Sequence, residues 1–148
     1  MIEPEATDRP RIHFEIDILP PSINKLYKPT HHGKRLSNEA NRFIVAAKTK
    51  MLKQLDFSQP PLSTANPVKF EVHFYYDVLC KGYPTKTDNR FKPKDSANYL
   101  KLLEDVVASC IALNDKNTNW HVLRKFDSVK HGFSGVRMWV TELDYDDV

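Results

Sequence analysis

Val68 to Val78 leaves the chain the least choice of fold. Val68, Phe70, Val72, Phe74, Tyr76 and Val78 alternate with Lys69, Glu71, His73, Tyr75 and Asp77. An apolar residue at every second position is the pattern of a strand with one face on a core. A strand of this length belongs in the middle of a sheet or in a ribbon that projects from the body.

Lys94 to Asn117 supplies a helix to cover such a sheet. Tyr99, Leu100, Leu103, Val106, Val107 and Cys110 recur at helical spacing and make a core stripe. Asn98, Lys101 and Asp105 fall on another face, three and four residues apart, so their side chains are neighbours. Asp95 stands at the helix entrance and Asp115 just beyond its exit. Ordinary structural roles suffice for each of these on periodicity alone. Asp and Ser cap helix starts, Lys101 and Asp105 can form a surface pair, and Asn-Asp after an apolar run is turn chemistry. The same set also suits phosphate chemistry. Carboxylates are the hard oxygen ligands that Mg²⁺ takes, and a lysine neutralises charge on a phosphate.

The rest of the chain completes an α+β domain. Residues 1–10 are polar and read as a loose arm. Ile12, Phe14, Ile16 and Ile18 alternate with polar residues as a first strand, which stops at Pro20-Pro21. Ser22 to Leu36 reads as a loop that interleaves Lys25, Lys28, Lys34 and Arg35 with Tyr27, His31 and His32. That mixture suits phosphate contact and base stacking. Ser37 caps a helix with the stripe Ala40, Phe43, Ile44, Ala47, Met51 and Leu55. Residues 56–67 read as a connector. Residues 120–143 look like a hairpin with its turn at His131-Gly132-Phe133-Ser134-Gly135, and residues 144–148 form an acidic tail. The expected order is β-α-β-α-β-β. It gives a single domain over residues 11–143, with a mixed or antiparallel sheet of about four strands and two main helices on one side.

Charge is concentrated just ahead of the second helix. Lys81, Lys86, Arg90, Lys92 and Lys94 lie in one stretch in which only Asp88 opposes them. A basic segment that delivers the chain into Asp95 is what an enzyme that cuts a polyanion needs: cations hold the backbone and carboxylates hold metal. The chain's overall charge of +3 permits such a partner without arguing for it. Cys80 and Cys110 lie in apolar segments and read as free thiols of a reducing compartment. The histidines show no zinc-site spacing. With no apolar run of spanning length and no signal-peptide pattern, the expectation is a cytoplasmic protein with no membrane partner.

Together these residues resemble the RusA family of Holliday-junction resolvases. That family carries Asp-x-Asp-Asn-x-x-Lys at the head of a helix, a further Asp within the helix, and an apolar-Asp-Asp turn after it. Here Asp95-Ser96-Ala97-Asn98-Tyr99-Leu100-Lys101 follows the first motif except at Ala97. Asp105 matches the helical acid, and Leu113-Asn114-Asp115 matches the exit turn with Asn114 for its first acid. Pro20-Pro21-Ser22-Ile23-Asn24 matches the family's opening after its first strand.

The resemblance implies a homodimeric endonuclease, often carried by phages and prophages, that nicks four-way DNA junctions in recombination and repair. Mg²⁺ would be its cofactor, with Mn²⁺ as an alternative, and the host cytoplasm its location if phage-encoded. It implies Asp95 and Asp115 as metal ligands, Lys101 as the group that stabilises charge on the phosphate, and Asn98 as an orienting side chain. Asp105 is the expected substitute for the carboxylate missing at Ala97, ahead of Asp88 on the preceding basic stretch, which is the alternative. Lys25, Lys34, Arg35, Lys86, Arg90, Lys92 and Lys94 are the expected DNA contacts. The alternative is a protein of the same fold that binds branched DNA and has lost cleavage through Ala97.

Overall fold

A computed structural model describes residues 2–21, 25–56, 62–63, 65–77 and 96–148 of the chain, without the side chains of residues 96–98, 115 and 147. Its elements are β1 (Arg11–Ile16), β2 (Tyr27–Thr30), β3 (Gly33–Leu36), α1 (Asn38–Leu52), β4 (Val68–Tyr76), α2 (Ser96–Ile111), β5 (Thr118–Asp127), the single turn α3 (Ser128–His131) and β6 (Gly135–Glu142). The fold is α+β. The main sheet is mixed, in the order β1-β6-β4-β5, with β4 parallel to β5 and antiparallel to β6.

Of the two places that its pattern allows, the alternating segment takes the one inside the sheet. Val68, Phe70, Val72 and Phe74 are 2% exposed or less and join α1 and α2 in one core. Ser37 caps α1 by accepting from the Ala40 N–H at 3.1 Å, as its sequence position predicts. The buried residues of α1 are Ala40, Phe43, Ala47 and Met51. Leu55 lies beyond the helix end but still packs on the core. The stripe of α2 is wider than periodicity suggests, because Leu102 and Glu104 are buried along with Tyr99, Leu103, Val106 and Val107.

Two expectations are corrected. Residues 120–143 do not form a hairpin, because β4 lies between β5 and β6 and pairs with both. Each flanking strand gains more from the apolar central strand than from the other. The connection through α3, Gly132, Phe133 and Ser134 is long enough to step across one strand, roughly 10 Å. Val129, expected in a strand, falls in α3. The second correction concerns Ser22–Leu36, which is not all loop: β2 and β3 form a separate two-stranded ribbon, with Tyr27 opposite Leu36 and Thr30 opposite Gly33. Its strands are short and mostly charged or exposed, so no apolar alternation marks them.

The face of the sheet turned away from α1 and α2 is also partly closed. His73 and Tyr75 are 0% exposed there, and Glu71 is 5% exposed. Rings cover them: Trp139 lies 4.6 Å from His73, and Phe126 lies 5.0 Å from Tyr75 between centroids. Among the described residues, no helix is long and apolar enough to cross a membrane.

Candidate functional site

Helix α2 connects the parallel strands β4 and β5, and this connection fixes where each candidate side chain sits. Its inner face is committed to the core through Tyr99, Leu103, Val106 and Val107. Lys101 and Asp105 lie on the outer face, one helical turn apart. Lys101 Nζ is 3.1 Å from Asp105 Oδ1, and both side chains are more than half exposed. The spacing-based expectation that these two are neighbours is met. Asn98 belongs to the first turn of the same helix.

The far end of α2 is built to turn the chain. Ala112 adopts φ +55°, and the Leu113 N–H donates to the Ala108 carbonyl at 3.2 Å, closing the helix with a left-handed residue. Asn114 then holds the next turn: its Oδ1 accepts from the Lys116 N–H at 3.2 Å, and its carbonyl accepts from the Asn117 N–H at 3.0 Å. So the amide at Asn114 has a local structural role. Asp115 opens a short 3-10 turn that leads into β5 at Thr118.

Asn98 and Asp115 stand at opposite ends of α2. The 16 residues of α2 span about 24 Å, and about 20 Å of that separates Asn98 from Ile111. The strand register agrees. Thr118, just after Asp115, is opposite Val68 at the start of β4, whereas α2 follows the end of β4 at Tyr76 in chain order. Within one chain the fold brings Lys101 to Asp105, while the length of α2 stands between the backbone of Asn98 and the turn at Asp115. Asp95, the Asp88 alternative, and Lys86, Arg90, Lys92 and Lys94 lie outside the described residues.

The basic residues of the N-terminal half are better organised than a loop would make them. Lys34 and Arg35 are exposed on β3, opposite Pro29 and Lys28 of β2. Lys25 is exposed just ahead of β2. The ribbon is tied down at its base, where Leu26 is 0% exposed, the Ser37 N–H donates to the Leu26 carbonyl at 2.9 Å and the Ser37 hydroxyl donates to the Lys25 carbonyl.

Two polar pairs escaped sequence reasoning. Glu104, 8% exposed on α2, meets His121 of β5 with Oε2 2.7 Å from Nε2. Glu71 meets His73 at 2.6 Å and Lys69 at 3.2 Å. Both acids sit at otherwise apolar or strand-interior positions, where a carboxylate needs a partner. That need is the signal that could have found them. Burial is the largest influence on His73 and holds its pKa below the ordinary imidazole value, against the opposing pull of Glu71.

A hard divalent cation takes several oxygen ligands. Asp105 is the one acid of the expected set whose carboxylate is described, and it is already shared with Lys101. Among the described residues, no three His, Cys, Asp or Glu side chains converge on one point. Asp95 and the Asp115 side chain, which the metal reading requires, are outside that set. No protein-family model matches the chain, and no curated protein is significantly similar to it.

Proposed function

We propose that the chain is a structure-selective endonuclease that nicks four-way DNA junctions by Mg²⁺-dependent phosphodiester hydrolysis. The observation that carries this reading is the Lys101–Asp105 pair. It stands in the open on a helix whose other face is core, directly after the Asp95–Asn98–Lys101 pattern. An exposed pair of this kind stabilises a fold by only about 0.3–0.5 kcal/mol. The Asp105 contact itself therefore does little to hold this lysine back from a phosphate oxygen.

Lys101 would neutralise charge that develops on the phosphate, and Asn98 would orient it. Bound Mg²⁺ would supply an activated water and further charge neutralisation. Lys25, Lys34 and Arg35 would hold neighbouring phosphates on the ribbon without reading sequence.

The length of α2 adds a condition. The span of α2 argues against one phosphate being met by Asn98 and Lys101 together with Asp115 of the same chain. A homodimer meets the condition if each site takes Asn98 and Lys101 from one copy and Asp115 from the other. Two-fold symmetry then yields two equivalent sites, which suits the symmetry of a junction.

The test is incubation of the purified chain and Mg²⁺ with a labelled synthetic four-way junction, with a linear duplex of the same sequence as control. Paired nicks in the junction alone are the expected result. Junction binding without nicks would favour the alternative, a binding protein whose cleavage is lost through Ala97. Absence of junction binding would sink both.

A further inference from the structure

We infer that the face of the sheet turned away from α1 and α2 binds unpaired DNA, with Trp120 as the surface on which a base stacks. This rests on the DNA reading above and adds a site remote from Lys101. Strand register defines the face. Arg11 is opposite Thr141, Thr141 opposite Lys69, and Lys69 opposite Trp120, so these four form one row across all four strands. Two residues further along each strand, the rows continue through His13, Trp139, Glu71 and Val122, then through Glu15, Arg137, His73 and Arg124.

Among the described residues of these three rows, charge is unbalanced. The cations are Arg11, Lys69, Arg124 and Arg137, and the carboxylates are Glu15 and Glu71. Both carboxylates are already engaged: Glu15 takes Arg137 at 2.9 Å, and Glu71 takes His73 at 2.6 Å and Lys69 at 3.2 Å. The excess is positive and complements a polyanion. A second copy docking through the same face would set like charges against each other, which disfavours self-association here.

Tyr75 is 0% exposed and Trp139, under the stacked ring of the exposed His13, is 4% exposed, but Trp120 is 51% exposed. Lys69 Nζ lies over one face of the Trp120 ring, 4.3 Å from its centroid, so that face of the indole is backed by a cation. Arg124 is exposed on the same face of β5, four residues or about 13 Å further along. An indole for a base with flanking cations for phosphates is the arrangement that holds single strands without sequence preference. Trp120 stands five residues after Asp115, so a strand held on this face would lead to that end of the domain.

The chain has two tryptophans, and Trp139 is buried, so quenching of intrinsic fluorescence by DNA reports on Trp120. The probe is single-stranded oligothymidylate titrated into the full chain at low salt. Quenching that saturates is expected. Trp120→Phe should bind with little quenching, and Trp120→Ala should bind at least about five-fold more weakly, the lower range for loss of one stacked base. Arg124→Ala should lower the slope of log K against log salt by about 0.7, one single-strand phosphate. Oligothymidylate binding, seen by anisotropy, without quenching would overturn the inference. So would unchanged affinity in Trp120→Ala, or quenching that follows protein concentration and not DNA. Junction nicking that persists alongside any of these rejects only this face. Failure to bind any DNA removes the nuclease reading with it.

Discussion

Gln54 closes the outer edge of the sheet by binding the backbone of Glu15 twice. Its Oε1 accepts from the Glu15 N–H at 2.8 Å, and its Nε2 donates to the Glu15 carbonyl at 2.5 Å. β1 is an edge strand, so these two groups would otherwise offer themselves to another chain. A side-chain amide here imitates one residue of a missing neighbour strand. Gln54→Ala should cost about 1 kcal/mol, since both bonds are near water. Urea denaturation measures that loss. Faster amide exchange at Glu15 would tie it to the edge, and unchanged exchange would show that the contact protects nothing.

Gly135 begins β6 at φ +146°, and a Cβ there would meet the Ile16 carbonyl oxygen at 2.1 Å. Backbone, not a movable side chain, is in the way. Gly135→Ala should therefore cost roughly 3 kcal/mol or more, as a clash is added to the 1–3 kcal/mol of a strained φ. Gly33 also has positive φ but open space around it, so Gly33→Ala should cost less. Equal unfolding midpoints for the two variants would contradict this account.

His73 makes stability depend on pH. Its Nε2 faces Glu71 at 2.6 Å, while its buried Nδ1 has no partner among the described residues. The neutral ring with its proton on Nε2 suits this site. It donates to Glu71 and leaves only a lone pair unmet. Protonation would bury an N–H without an acceptor, near the charges of Arg124 and Arg137. Burial foremost, with those charges, lowers the folded pKa below 6.5. In the window between the two values the unfolded chain binds more protons, so stability rises with pH there. The contribution is complete above about pH 6.5 and is lost as pH falls through the folded pKa. Thermal midpoints should drop between pH 7 and pH 5, and His73→Gln, which keeps a donor for Glu71, should flatten the drop. An equal drop in that variant would assign the effect to another group.

The sequence carried one half of β4 and hid the other. Alternation at Val68, Phe70, Val72 and Phe74 exposes the core face, because burial there follows from apolarity alone. Burial of Glu71 and His73 depends on Trp139 and Phe126, which come from two other strands that no local period connects to β4. The candidate site divides in the same way. Lys101 and Asp105 are neighbours by helical geometry, so their pairing could be read directly. Glu104 finds His121 only after the chain has turned and entered β5, 17 residues later. The distance between Asn98 and Asp115 also needed the helix to be read as a length. One belongs to the motif that opens α2 and the other to the turn that follows it, so the rod stands between them.

That separation gives the sharpest test of the nuclease reading. Lys101→Ala should leave stability almost unchanged, because the pair it breaks is exposed, and should abolish nicking. Asp115→Asn should abolish nicking and keep junction binding, since it removes negative charge beside a phosphate. If each site joins Lys101 of one copy to Asp115 of the other, a mixed dimer of the two variants contains one intact site and one doubly altered site. Random mixing makes half the dimers mixed, so about a quarter of the native nicking rate should return from two inactive proteins. The measurement is junction nicking after the variants are unfolded together and refolded, with each variant refolded alone as control. Recovery would locate the site between copies. Two inactive variants that stay inactive on mixing, with mixed dimers shown by differential tags, would confine each site to one chain and contradict the reading of α2 as a spacer.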